Sequence, residues 1–456
     1  MKILLIKDRI FAGDMMSAMQ NLPPKRISNI IVNALKGGVV PRVGLEYVTV
    51  GRAQEISAIL RDIEIIGDGG ATFRFVVGKY GSGKSFLLQT IRNYAAEKGF
   101  AVMDADLSPE RRFSGTKGQG LATYRELVQN LSTRSKPDGG ALPLILEKWI
   151  SGVKAGVAEQ NGDGETFDAA VEKRIYAVVN GLEGMVNGFE FAKAVIAYWQ
   201  AYKIGDDQTK SNALKWFRGE YPSRKEAKDD LNINFVVTDD NWYDFIKIFA
   251  SFMVGAGYRG ILIIIDELVN IYKIPHSITR QNNYEKLLTM YNDALQGKAK
   301  SIGFLMAGTP QCVEDRYRGL FSYEALKSRL NDGHFSSGNL KDLSAPIIRL
   351  NMLTQEEMYV LVEKLRDIHA SLFDYAPALT HEDLVYFLTA EYNRVGADTH
   401  MTPREIIRDF IELANIIHQN PERNIGDILG DNSFALARGG VAGRENDDAE
   451  FTEFDI

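Results

Sequence analysis

Phe73-Arg-Phe-Val-Val-Gly-Lys-Tyr-Gly-Ser-Gly-Lys-Ser85 reads as a short apolar strand running into a glycine-rich turn. From Gly78 to Ser85 it fits G-x-x-x-x-G-K-[ST], a phosphate-binding loop. Gly78, Gly81 and Gly83 let the backbone curl with its N–H groups inward, because glycine reaches φ > 0 without a Cβ clash; Lys79, Tyr80 and Ser82 complete the same cradle. Lys84 brings an ammonium to the β/γ-phosphates and Ser85 offers a hydroxyl to Mg²⁺. The helix that opens at Ser85-Phe86 points its positive end at the anion. An accidental Gly/Ser loop is disfavoured by context, since a β-rich run precedes the pattern and an amphipathic helix follows it.

A second apolar run, Ile261-Leu-Ile-Ile-Ile-Asp266-Glu267, looks like a parallel strand buried on both faces and ends in two carboxylates. Paired with the upstream loop, it supplies the other half of a nucleotide site: Asp266 holds Mg²⁺ through water and Glu267 polarises the attacking water as general base. Gly99 to Asp106 reads as a further strand ending in carboxylates, whose role stays open between capping the next turn and joining the site. Ser301 to Pro310 and Pro346 to Leu350 are two more strands.

The 456 residues carry a net charge of −7, so no global basic field draws the chain to nucleic acid, and any such contact must come from a local patch. The single cysteine, Cys312, excludes an intramolecular disulfide and fits a reducing, cytoplasmic location. The apolar start, Met1 to Ile6, is too short for a signal segment or a membrane span, and no Cys/His spacing suggests zinc. No membrane contact is expected.

Helical periodicity predicts helices from Pro24 to Leu35, through Gln54 to Arg61, and over Tyr284 to Leu295. Three more follow, over Tyr359 to Leu372, Thr380 to Tyr392 and Pro403 to Ile417, with Thr354 and Glu357 spaced for a capping box. The interval from Ser85 to Asp266 is roughly twice what a βαβ progression of about 30 residues per unit needs, so a helical insertion is expected there. Trp149, Tyr176, Tyr198 and Trp199 fall at helical spacing inside it and read as core. Tyr221 to Asp230 reads as a charged, solvated connector. The expected division is 1–23, an N-terminal extension; 24–122, the first part of a nucleotide-binding core; 123–235, the insertion; 236–350, the second part of the core; 351–420, a helical lid; and 421–456, an acidic tail without fixed structure.

The order of these parts resembles that of AAA+ ATPases, especially the origin-recognition and STAND branches. That resemblance implies an αβα P-loop core with a parallel sheet, an inserted helical subdomain and a C-terminal helical lid. It implies that Gly51 and Arg52 lie against adenine, that Thr309 is the sensor positioning the attacking water, and that Arg404, in Thr402-Pro403-Arg404, reaches the γ-phosphate from the lid. It also implies an arginine acting on a neighbouring subunit's ATP. Arg329, in Ser-Arg-Leu, is the choice, with Arg316 and Arg318 as competitors and surface ion pairs as the plain alternative. Within this group the chain resembles the BREX-type ATP-binding proteins called BrxC and BrxD, from about Pro24 to Gln419, and at its length the shorter BrxD-like members. Ala34-Leu-Lys-Gly-Gly-Val-Val-Pro-Arg-Val-Gly-Leu-Glu46 and the Gly78 to Ser85 loop carry that likeness. It implies an ATPase using ATP and Mg²⁺ in a homo-oligomer, with a hexamer among the candidate sizes. Double-stranded DNA and a helicase or methyltransferase of a phage-defence operon are candidate partners. A nucleotide-gated scaffold with slow hydrolysis is the rival reading; a helicase, an ABC protein with Ser336-Ser-Gly-Asn as its signature, and a small-molecule kinase fit less well.

Overall fold

The structure, a computed structural model, describes residues 22–161, 167–180, 188–330, 342–393 and 402–430. Residues 1–21 of the expected N-terminal extension, the Ser336-Ser-Gly-Asn stretch and residues 431–456 of the expected tail lie outside the described residues, while Ile425–Gly430 of that tail is helical. The chain divides into two compact units, one of residues 52–351 and one combining residues up to 51 with those from 352 onward.

The larger unit is built on five parallel strands: β1 (Ala71–Gly78), β2 (Ala101–Asp106), β3 (Ile261–Asp266), β4 (Ile302–Gly308) and β5 (Ile347–Leu350). Their spatial order is β2-β3-β4-β1-β5. All four pairings are parallel, and every strand matches the apolar run that predicts it, β1 starting two residues earlier than Phe73, at Ala71. The result is an α/β fold consistent with a P-loop NTPase.

Strand alternation sends neighbouring residues to opposite faces. Val76, Leu262, Ile264 and Leu305 pack under helices α1 (Ala53–Gly67) and α2 (Lys84–Glu97), through Ile59, Ile63 and Ile91. Phe75, Met103, Ile263 and Phe304 face the other way, into the helices that the chain inserts between β2 and β3. Those are α3 (Gln119–Gln129), α4 (Leu142–Asn161), α5 (Phe167–Asn180), α6 (Gly188–Ile204), α7 (Asp207–Phe217), α8 (Arg224–Leu231) and α9 (Trp242–Gly255). The insertion does not carry a core of its own. One continuous hydrophobic cluster runs from the sheet through Tyr124 and Phe249 to Trp149, Phe191 and Trp199.

Three local readings change. Trp149, Tyr198 and Trp199 are core, but Tyr176 is 38% exposed. The charged connector folds as α8: Ser223 Oγ accepts the Glu226 N–H at 3.3 Å, and Ala227 and Leu231 are buried. Helix α9 escapes a periodicity search because it is apolar nearly all round, as a helix packed on several sides must be. The remaining helices of this unit are α10 (Val269–Tyr272), α11 (Ser277–Leu295), α12 (Pro310–Glu314) and α13 (Glu324–Leu330).

The second unit joins α14 (Lys25–Lys36) and α15 (Leu45–Val48) to α16 (Gln355–Phe373), α17 (His381–Tyr392), α18 (Pro403–Gln419) and α19 (Ile425–Gly430). Helix α14 packs on α16 and α18, burying Ile31. Thr354 with Glu357, Thr380 with Asp383 and Thr402 with Glu405 each close a capping box, so three helices of this unit start on the same chemistry. Among the described residues no helix is long and apolar enough to cross a membrane.

The shared core has a measurable consequence. Phe191, whose ring lies 5.0 Å from Phe217 and 5.2 Å from Phe249, should cost about 3–5 kcal/mol when cut to Ala. In hydrogen exchange read by mass spectrometry, Phe191→Ala should lower protection in β2 and β3 as much as in α6. Loss confined to α6 would mean an independently folding insertion.

Candidate nucleotide-binding site

In an open parallel sheet, ligand sites lie beyond the carboxyl ends of the strands. Strand β1 ends there at Gly78, β3 at Asp266, and β4, which lies between them, at Gly308 before Thr309. Sequence-distant groups therefore converge because the sheet order places their strand ends side by side.

The loop from Gly78 to Ser85 achieves its curl with two left-handed glycines, Gly81 (φ 78°) and Gly83 (φ 84°), the latter capping α2. Gly78 corrects the expectation of three such residues. Its φ is not positive; a Cβ there would meet Ser82 Oγ at 2.3 Å and the Leu350 carbonyl at 3.0 Å, so room rather than conformation demands glycine. Lys84 Nζ donates to the carbonyls of Gly78 at 2.9 Å and Lys79 at 3.0 Å, which holds the cation at the loop's rim. Burial pulls its pKa down, against the pull of Asp266 and Glu267. Lys79 and Tyr80 are exposed, and Phe86 is half-buried.

Ser85 Oγ donates to Asp266 Oδ2 at 2.9 Å, and Asp266 Oδ1 accepts the Glu267 N–H at 2.8 Å. Glu267 stands at φ 60°, a left-handed conformation that costs a non-glycine residue about 1–3 kcal/mol. The turn is over-determined: Leu268 N donates to Ala307 O at 3.1 Å, while Asn270 N donates to Glu267 O at 3.0 Å and its Nδ2 to Leu107 O at 2.8 Å. Burial, then the Asp266 charge, raises the Glu267 pKa above the usual carboxylate value. That direction suits a general base.

Asp106 joins this group. It sits opposite Asp266 in the β2/β3 register, and Leu107 N donates to Asp266 O at 3.1 Å. Burial, with Asp266, Asp104 and Glu267 nearby, pushes its pKa up to about 6. The signal in the sequence was a strand ending Asp104-Ala-Asp106, and the pairing register is what sets Asp106 beside Asp266.

Thr309 Oγ1 is buried, and among the described residues it has no hydrogen-bond partner, an orphaned hydroxyl at the end of β4. Cys312 Sγ, its thiol pushed up to about 11 by burial, donates to Thr309 O at 3.1 Å. Ser85 and Asp266 together fit the oxygen-only ligand demand of Mg²⁺.

The arginines separate. Arg329 is exposed on α13, donating to Asn292 Oδ1 at 2.9 Å and Ala325 O at 2.7 Å. Arg318 turns inward over the Tyr272 ring, 5.5 Å from its centroid, whereas Arg316 is exposed beside Tyr317. Arg52 is buried, its Nη2 donating to Ser82 O and Asn351 O. Gly51 and Arg404 belong to the other unit, where Gly51 abuts the Glu357 carboxylate and Arg404 lies on Gly38.

Residues 24–433 match the family model described as BREX system ATP-binding protein BrxC/D. No curated protein matches the chain.

Two measurements probe this geometry. Glycine at 267 relieves the left-handed strain that alanine retains, so Glu267→Gly should unfold at higher urea than Glu267→Ala, by about 1 kcal/mol. Equal stabilities would remove the strain from the account. Asp266→Asn deletes one neighbouring charge, so the Asp106 titration followed by carboxyl NMR should move from about 6 toward the ordinary aspartate value; an unmoved midpoint would mean the Asp266 charge has no part in setting it.

Proposed function

The chain belongs to the BrxC/D family of BREX system ATP-binding proteins, and from that premise we propose that it is an AAA+ ATPase of anti-phage defence, hydrolysing ATP at interfaces between its own copies. The observation that carries the reading is the Ser85–Asp266 hydrogen bond, which joins the phosphate loop to the carboxylate strand across the sheet. Around it Lys84 binds the β/γ-phosphates, the Gly78 to Ser85 amides hold the remaining charge, and Thr309 donates its free hydroxyl to the attacking water or the γ-phosphate. Glu267 accepts the proton of that water. Mg²⁺, held by Ser85 and Asp266, would neutralise charge on the phosphates. Arg329, exposed on its helix, is available to a neighbouring copy, and stabilises charge developing on that copy's γ-phosphate. Duplex DNA and a helicase or methyltransferase of the same defence system are the proposed partners.

Turnover and binding separate the roles. Glu267→Gln should lower ATP turnover by about 10²–10⁴-fold while Mg²⁺-dependent ATP binding persists, and Lys84→Ala should lose binding. Wild-type turnover in Glu267→Gln would overturn the catalytic assignment. Mixing Lys84→Ala with Arg329→Ala should restore part of the activity that each lacks; no recovery, with wild-type turnover in Arg329→Ala alone, would overturn the shared site. A motor should be stimulated by duplex DNA, and a scaffold should not.

A further inference from the structure

The chain enters the larger unit at Arg52 and leaves it at Asn351, so both peptide connections between the units pass these two residues. Arg52 is only 6% exposed. Its Nη2 donates to Asn351 O at 2.7 Å and to Ser82 O at 3.0 Å. Ser82 lies in the phosphate loop and is itself 1% exposed. One nitrogen thus holds the entry point, the exit point and the phosphate loop together. The smaller unit grips its own ends of the same connections: Lys364 Nζ donates to Thr49 O at 3.1 Å, Gly51 abuts Glu357, and Glu357 closes the capping box on Thr354.

We propose that Arg52 is a positioning residue for the phosphate loop and the pin of a two-stranded hinge. It fixes the Ser82 carbonyl in the place nucleotide binding requires, and passes any displacement of that loop to Asn351 and so to both connections. The physical basis is that Ser82 O is buried and would be stranded without the guanidinium, while the part-buried Asn351 O would give up a charge-assisted hydrogen bond to the same nitrogen, so the two move together. The inference rests on the reading that this loop binds ATP. It replaces the adenine contact expected of Arg52 with a role behind the loop.

The test uses the full chain with dyes on cysteines introduced at Lys225 and Glu412, both exposed and one in each unit; Cys312 is buried and does not compete for label. Affinity is read with a fluorescent ATP analogue, and the response of one unit to the other as energy transfer with saturating Mg²⁺ and ATPγS. In the parent chain ATPγS should change the transfer efficiency. Arg52→Met, which keeps the apolar stem and loses the donor, should weaken affinity at least tenfold and abolish that change even at saturation. Arg52→Lys should recover most of the affinity with a reduced change. A full response in saturated Arg52→Met, or a parent chain that binds nucleotide without responding, overturns the hinge; weakened affinity with an intact response leaves Arg52 as packing only and also overturns it. If Arg52→Met does not fold by circular dichroism, Arg52→Lys decides, and an unreduced change overturns the proposal. A parent chain that binds no analogue removes the ATP reading, and the proposal with it.

Discussion

Five parallel strands with apolar residues on both faces must be covered from both sides, and that constraint organises the larger unit. One face is closed economically by α1 and α2, the helices that flank β1 in sequence. The other needs a layer that the short connections cannot supply. The long insertion supplies most of it, joined by α11, whose Tyr291 packs on Phe73, and so the insertion's aromatic residues merge with the sheet's own core. The same parallel arrangement turns every strand's carboxyl end toward one edge. Chemistry at that edge is a consequence of topology: β4 lies between β1 and β3, yet Ser85 reaches Asp266 across its end.

Bringing those ends together concentrates negative charge. The Asp266 charge adds to burial in raising the proton affinity of Asp106 and Glu267, and Lys84 feels the opposing pull of Asp266 and Glu267. Such crowding is costly in a resting protein and becomes favourable where phosphates and a divalent cation are to be handled. The left-handed backbone of Glu267 belongs to the same economy, with the turn pinned by Leu268 and Asn270 so that the carboxylate keeps a strained but defined place.

Much of this was legible before any coordinates. The family resemblance read from residues 24 to about 419 agrees with a family match over 24–433. The strands were visible because buried parallel strands are short continuous runs of β-branched residues, and the capping box at Thr354 because its spacing is local. What the sequence left illegible lies in particular elements. Helix α9 carried no periodicity because it is buried on nearly every side, and α8 was masked by its charge although two apolar residues anchor it. Tyr176 shared its neighbours' spacing but not their burial, since periodicity gives a face and not what lies against it. The grouping of α14 with the C-terminal helices is a contact between ends of the chain, which no local pattern encodes.

The sequence by itself determined the chemistry available at the site: a glycine-rich loop with Lys84 and Ser85, an apolar strand ending Asp266-Glu267, and a strand ending at Thr309. Those are statements about residue type and neighbours along the chain, and short-range sterics and polarity are enough to make them. Only the tertiary structure decided which groups meet. The β2/β3 register set Asp106 beside Asp266, packing rather than φ made Gly78 a glycine, and burial turned Arg52 toward two backbone carbonyls. The physical reason is that pairing register, close approach and burial are properties of surfaces brought together from distant parts of the chain.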